Sequence, residues 1–225
     1  MKRIMILFAA VFSLIWGGCS DPFENQAFRE TDKMPAASYM EANSSTYSLW
    51  VDLLNYTGLF NTVNLKMDYT CFVPDNDAMN AFLQKKGISS VQGLNKEEAA
   101  NLVRYHTIAS HQYTSSDFSD GMFPDSTASG DYLSLDMRDG GLEAMYINNE
   151  ARIKRLNTMT TNAVIHTLES VLTPVTGMIV DNLGGEFSFM KNLLEVTGYK
   201  DMLSTLYVND VKRRYTLFAV PNAVF

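Results

Sequence analysis

Apolar positions recur with a helical period in the first half of the chain and with a two-residue period further on. Between Tyr47 and Thr57, the residues Trp50, Leu53 and Leu54 fall on one helical face, and Gly58 supplies a stop. Tyr69 to Val73 is uncharged and rich in aromatic and β-branched residues, and Pro74 closes it, which predicts a strand. Asp75 is placed to cap the next helix, which carries Met79, Phe82 and Leu83 on one face and ends at Gly87. Asn95 with Glu98 three residues on starts a further helix through Val103, with Leu94 and Ala99 at the staple positions around it.

After about Thr107 the period becomes two. Tyr132, Leu133 and Leu135 lead into Asp139-Gly140-Gly141, and a second run follows through Met145 to Ile147. Asp-Gly between two such runs predicts a hairpin, because glycine accepts the positive φ of a tight primed turn. Asn148-Asn149 marks the next turn, a third strand starts near Ala151, and a long apolar strand spans Ala163 to Leu172 before Pro174. Helices early and strands late give the segregated order of an α+β domain.

The first residues follow another logic. Lys2 and Arg3 precede an uncharged apolar run, Ile4 to Trp16, whose thirteen residues fall short of the ~20 needed to span a bilayer. Gly17, Gly18 and Cys19 follow, so residues 1–18 read as a secretory signal that plays no part in the fold. The Gly-Gly-Cys junction resembles the lipobox of bacterial lipoproteins, with Trp16 where a smaller aliphatic residue is usual. That resemblance implies cleavage before Cys19 and acylation of its thiol and new amino terminus. A plain signal peptide cut elsewhere, or a cysteine that is simply buried, is the alternative. Residues 19–35 are polar and aperiodic, as a tether between an anchor and a folded domain would be. Asp21 and Glu24 beside the cysteine look like the export signals of surface lipoproteins of the Bacteroidota, which places the expected location at the outer membrane of a bacterial envelope.

Composition narrows the field without naming a function. The 225 residues are 46% hydrophobic and 19% charged, too apolar for a disordered chain. Twenty-five acidic against 18 basic residues give −7, and without Lys2 and Arg3 the balance is −9, which argues against nucleic-acid binding. Once Cys19 is acylated, Cys71 is the remaining cysteine, and its apolar setting Cys71-Phe72-Val73 reads as core. His106, His111 and His166 come without a zinc-type motif, and no nucleophile elbow or phosphate loop is present. No metal, cofactor or catalytic residue is therefore expected.

An internal repeat organises the chain. Ser48-Leu49-Trp50-Val51-Asp52-Leu53-Leu54-Asn55-Tyr56-Thr57-Gly58 returns 140 positions later as Ser188-Phe189-Met190-Lys191-Asn192-Leu193-Leu194-Glu195-Val196-Thr197-Gly198. The strand-proline-cap run from Tyr69 to Met79 returns from Tyr215 to Phe225, with the offset grown to 146 by an insertion. A period this long indicates domain duplication rather than a solenoid. Residues 187–225 are then the start of a second module. Either the native gene continues past Phe225 or this part packs on the first module, and continuation is the expectation.

The run Thr70-Cys71-Phe72-Val73-Pro74-Asp75-Asn76-Asp77-Ala78-Met79 resembles the first signature of fasciclin (FAS1) domains. Tyr105-His106 stands where that family carries a Tyr-His pair, and Asn162 to Leu172 is similar to its second signature. The resemblance covers residues 36–174 and restarts at about 187; Asp75, Ala163 and Glu169 depart from the usual Thr, Gly and Asp. It implies a β-wedge with packed helices and a non-catalytic adhesion module, and it points to Tyr105 and His106 as binding residues. Read by themselves, Tyr105 belongs to a helix face that enters the core, and His106 and His166 are hydrogen-bonded interior histidines. The expectation is a lipid-anchored envelope module that engages a protein or glycan partner. The alternative is an accessory or hydrolytic envelope protein whose catalytic part lies beyond residue 225.

Overall fold

The computed structural model describes residues 33–137, 144–174, 177–205, 207–209, 211–213 and 215–225. The chain divides into two units, one through Leu172 and one from Thr173 to Phe225.

In the first unit, helix α1 (Ala36–Ala42) follows Pro35, and Ala36, Ala37 and Met40 are buried. Its first amides are capped from a distance: Asn162 Oδ1 accepts from Ala36 N at 2.8 Å, and Asn64 Oδ1 from Ala37 N at 2.9 Å. Seven residues behind a proline carry too little period to show in sequence, so this helix is found only here. Helix α2 (Ser44–Thr57) begins three residues before the expected Tyr47 and ends on Gly58, whose φ of 77° needs no Cβ. A short α3 (Phe60–Val63) leads to strand β1 (Tyr69–Pro74), buried at every residue.

Helix α4 (Asn76–Lys86) is capped by Asp75, whose Oδ1 accepts from Ala78 N at 2.9 Å. Helix α5 (Lys96–Tyr105) is capped by Asn95, which accepts from Glu97 N and Glu98 N. Leu94 and Ala99, at its staple positions, both enter the core. Six further strands follow: β2 (Thr107–Ile108), β3 (Gly121–Met122), β4 (Ser134–Asp136), β5 (Tyr146–Ile147), β6 (Ala151–Met159) and β7 (Ala163–Leu168). The period-two reading missed β2 and β3, because two residues cannot display an alternation.

The seven strands form one sheet in the order β2-β1-β7-β6-β5-β4-β3. β1 and β7 run parallel, from Tyr69 opposite Ala163 to Pro74 opposite Leu168, and every other pair is antiparallel. The β4–β5 pairing of Leu135 with Ile147 agrees with the expected hairpin, although its Asp139-Gly140-Gly141 turn lies outside the described residues. The last strand was expected to reach Leu172 but stops at Leu168. Its partner β1 gives way there to the cap of the next helix: the Asp75 amide makes the last ladder bond, to Leu168 O at 3.2 Å, while Asp75 Oδ1 caps α4, and the Leu172 amide turns to His106 instead.

Alternation along β1 and β7 sets two cores apart. Tyr69, Cys71, Val73, Ala163 and Ile165 face the helices, against Trp50, Leu53, Leu54, Met79 and Leu102. Phe72 and Leu168 face the other side, against Leu133, Leu135, Met145, Ile147 and Ile153. The result is the expected α+β fold: a mixed sheet with helices on one face and its own antiparallel extension over the other.

The second unit holds α6 (Ser188–Val196), α7 (Tyr199–Leu203) and a hairpin of β8 (Tyr207–Val208) and β9 (Val211–Lys212). It repeats the first unit bond for bond at one junction. Thr57 Oγ1 donates to Leu53 O at 2.8 Å, and Thr197 Oγ1 to Leu193 O at 2.6 Å. Asn76 Oδ1 accepts from Leu49 N at 3.1 Å, and Asn222 Oδ1 from Phe189 N at 3.0 Å. Gly58 and Gly198 have φ of 77° and 78°. The expected counterpart of β1, from Tyr215, is not a strand among the described residues. β1 is held between β2 and β7, and among the described residues of 173–225 no equivalent neighbouring strands are present.

Candidate functional site

The Tyr105-His106 pair sits at the end of α5, and both side chains are buried. Tyr105 Oη accepts from Asn148 Nδ2 at 2.9 Å, which ties α5 to the turn between β5 and β6. Burial raises the Tyr105 hydroxyl pKa, and nearby Asp131 adds to the effect. His106 Nε2 accepts from Leu172 N at 3.0 Å, so the proton resides on Nδ1, which donates to Leu102 O at 2.8 Å. The imidazole lies 4.9 Å from the Trp50 ring. Burial pushes its pKa down to about 4. The pair is thus an internal clamp: it joins α5, the segment that follows β7 and the β5–β6 turn, with His106 wholly buried and Tyr105 5% exposed.

His166 is buried on β7, facing Phe72 at 5.4 Å and Phe118 at 4.9 Å between ring centroids. Its Nε2 donates to Tyr113 O at 2.9 Å, and burial lowers its pKa to about 4. Cys71 faces the helical core, where burial pushes its thiol up to about 12 and leaves it unreactive at neutral pH. Among the described residues no group of three His, Cys, Asp or Glu side chains is placed to hold a metal, and no helix is long and apolar enough to cross a membrane. Cys19 lies outside the described residues.

A polar cavity of about 420 Å³ opens where the first turns of α2 and α4 meet β6 and β7. Asp75, Asn76, Lys154 and Arg155 line it. Asn76 holds the two helix starts together, since its Nδ2 donates to Ser44 O and Ser45 O at 3.1 Å each. The second carboxylate oxygen of Asp75 takes a 2.6 Å hydrogen bond from Lys154 Nζ, and this partner raises the lysine pKa. Neighbouring residues of a regular strand point to opposite faces, yet Lys154 and Arg155 line one cavity. The cause is a one-residue slip: Ile153 pairs with Leu168 and Arg155 with Thr167, which leaves Lys154 as the extra residue of a bulge. A bulge has no local sequence signature, so the cation pair was not found by pattern. The visible trace was Asp75, a carboxylate where the resembling signature has Thr.

The first unit is thus a small α+β domain built on a mixed sheet, with His106, His166 and Cys71 committed to its interior. A model of the fasciclin domain family matches residues 45–174. The chain belongs to the fasciclin domain family, whose FAS1 domains are associated with cell adhesion and binding. It is 29% identical over 127 residues to Stabilin-2 of Rattus norvegicus, an alignment covering 56% of this chain and 8% of that protein. With Stabilin-2 of Mus musculus it shares 26% identity over 142 residues, covering 63% and 5%. The chain therefore spans less than a tenth of the length of these relatives. Among solved structures, a FAS1 domain pair from the insect cell adhesion molecule fasciclin I aligns with a TM-score of 0.39 and 12% identity, over 76% of this chain and 57% of that one.

Proposed function

We propose that the chain is a non-catalytic adhesion module of a bacterial envelope, held to the outer membrane by lipid on Cys19 and engaging an extracellular protein or glycan. Membership of the fasciclin family carries this reading. The interior supports it: both buried histidines use their ring nitrogens in structural bonds, and the Cys71 thiol is held in its neutral form. In this reading Tyr105 and His106 serve binding indirectly, by fixing the loops around them, and residues 187–225 begin a second module, as the repeated Asn76 and Asn222 bonds suggest.

The test is fractionation after labelling with a fatty-acid probe, paired with adhesion of expressing cells to a glycan- and matrix-coated surface. Wild-type protein is expected to carry label, sediment with membranes and promote adhesion. Cys19→Ala is expected to lose the label and the membrane association. A labelled or sedimenting Cys19→Ala protein would remove the anchor from the proposal, and adhesion equal to that of cells without the gene would remove the module's role.

A further inference from the structure

We infer that the cavity between α2, α4 and β6 binds a singly charged, hydroxyl-rich ligand: a carboxylated sugar unit of an acidic glycan. The inference deepens the adhesion reading and rests on it for the biological setting. The two cations of the cavity are not equivalent. Lys154 is committed to Asp75 at 2.6 Å, so that pair is internally balanced. Arg155 is exposed and makes no ion pair among the described residues. Its guanidinium can therefore take a carboxylate in the two-pronged geometry that suits this group.

Asp77 stands on the same cavity wall and sets the charge of the ligand. The four charged residues of the wall, Asp75, Asp77, Lys154 and Arg155, sum to zero, so one ligand carboxylate is held by direct pairing with the unpaired Arg155, and Asp77 would repel a second negative charge. A phosphate dianion is disfavoured on this count, and a peptide bearing several acidic residues equally so. The remaining wall suits hydroxyls: Ser45 and Thr46 can donate or accept, and Asp77 accepts. The volume falls within the ~300–1,000 Å³ of small-ligand sites.

The frame is rigid where it needs to be. Asn76 pins the two helix starts, and Thr167 Oγ1 behind the cavity is bonded to Tyr47 Oη at 2.7 Å. The site is also particular to the first unit. At the repeated junction of the second unit, Pro221 and Ala223 flank Asn222 where Asp75 and Asp77 flank Asn76, so neither carboxylate recurs.

The experiment is a titration of the purified chain, followed by amide NMR, with galacturonate, galactose, inorganic phosphate and an acidic peptide as probes. Galacturonate is expected to shift Ser45, Thr46 and Arg155 in a saturable way and to bind at least ten-fold tighter than the other three. Arg155→Ala is expected to weaken it at least ten-fold with an unchanged melting temperature, and Arg155→Lys to restore part of the loss. Absence of saturable shifts, tighter binding of phosphate or peptide, or an Arg155→Ala chain that binds as well as wild type would each overturn the site. Cell adhesion read on the same variant separates the two claims. If Arg155→Ala cells adhere like wild type, the cavity fails as the adhesive site while the adhesion reading stands; if wild-type cells do not adhere, the adhesion reading fails and the titration still decides the cavity.

Discussion

Acidification from pH 7 to pH 5 should destabilise the first unit through His106 and His166, before its carboxylates begin to titrate. Each imidazole is buried and held down to about pKa 4, against 6.5 in an open chain. The unfolded chain therefore binds protons that the folded one refuses, and the contribution to stability is complete above about pH 7 and lost as pH falls toward 4. A gap of 2.5 units is worth about 3.4 kcal/mol per histidine when fully expressed. Between pH 7 and pH 5 about 2 kcal/mol of each is realised, or about 4 kcal/mol for the pair, a large share of the ~5–15 kcal/mol that holds a domain together. Geometry explains the resistance at His106: Nε2 already accepts from Leu172 N, so a proton there would set two N–H groups against each other. Urea unfolding followed by Trp50 fluorescence is the assay, in a chain carrying Trp16→Phe, because Trp50 lies 4.9 Å from the His106 ring and Trp16 is the other tryptophan of the sequence. His106→Asn should cost about 3 kcal/mol at pH 7, from the orphaned Leu172 amide and the lost ring, and should halve the pH dependence. A stability that stays level between pH 7 and 5, or imidazole resonances that titrate near 6.5 in the folded chain, would refute the reasoning.

Two substitutions separate the roles met at the cavity wall. Asp75→Ala removes both the α4 cap and the Lys154 partner and should cost about 1–2 kcal/mol, whereas Asp75→Thr keeps a capping oxygen and should cost less than about 1 kcal/mol, because Lys154 is half exposed; chemical denaturation of the two variants compares them. Asn76→Ala deletes the bonds that join α2 to α4 and should lower the stability of the first unit by about 2–3 kcal/mol, while Asn222→Ala should leave that unit unchanged and loosen only residues 173–225, as read by hydrogen exchange.

What the sequence made legible divides along physical lines. Elements that carry a period or a cap could be read: α2 from Trp50, Leu53 and Leu54, α4 from Asp75, α5 from Asn95, and the two faces of β7 from the alternation around His166. Each of these signals is local, since side-chain spacing and first-turn hydrogen bonds are set within a few residues. The buried state of Tyr105 and His106 was also open to reading, because the helix face that carries Leu102 and Val103 leads into them. Features made by distant residues were not legible. The α1 start is capped by Asn162, 126 positions away, and β7 ends where its distant partner β1 turns into the Asp75 cap. The same holds for the cavity. Arg155 and Lys154 share a wall only because β6 slips one residue against β7, and the register of a strand is a property of the pair. Asp75 was the one member with a local signal, and that signal was ambiguous: a carboxylate caps a helix as well as Thr does, so the substitution looked neutral until its second oxygen was seen on Lys154. The Asn76 bond to the start of α2 recurs at Asn222 while the carboxylates that flank Asn76 do not, so the junction geometry and the charges around it are set by separate residues.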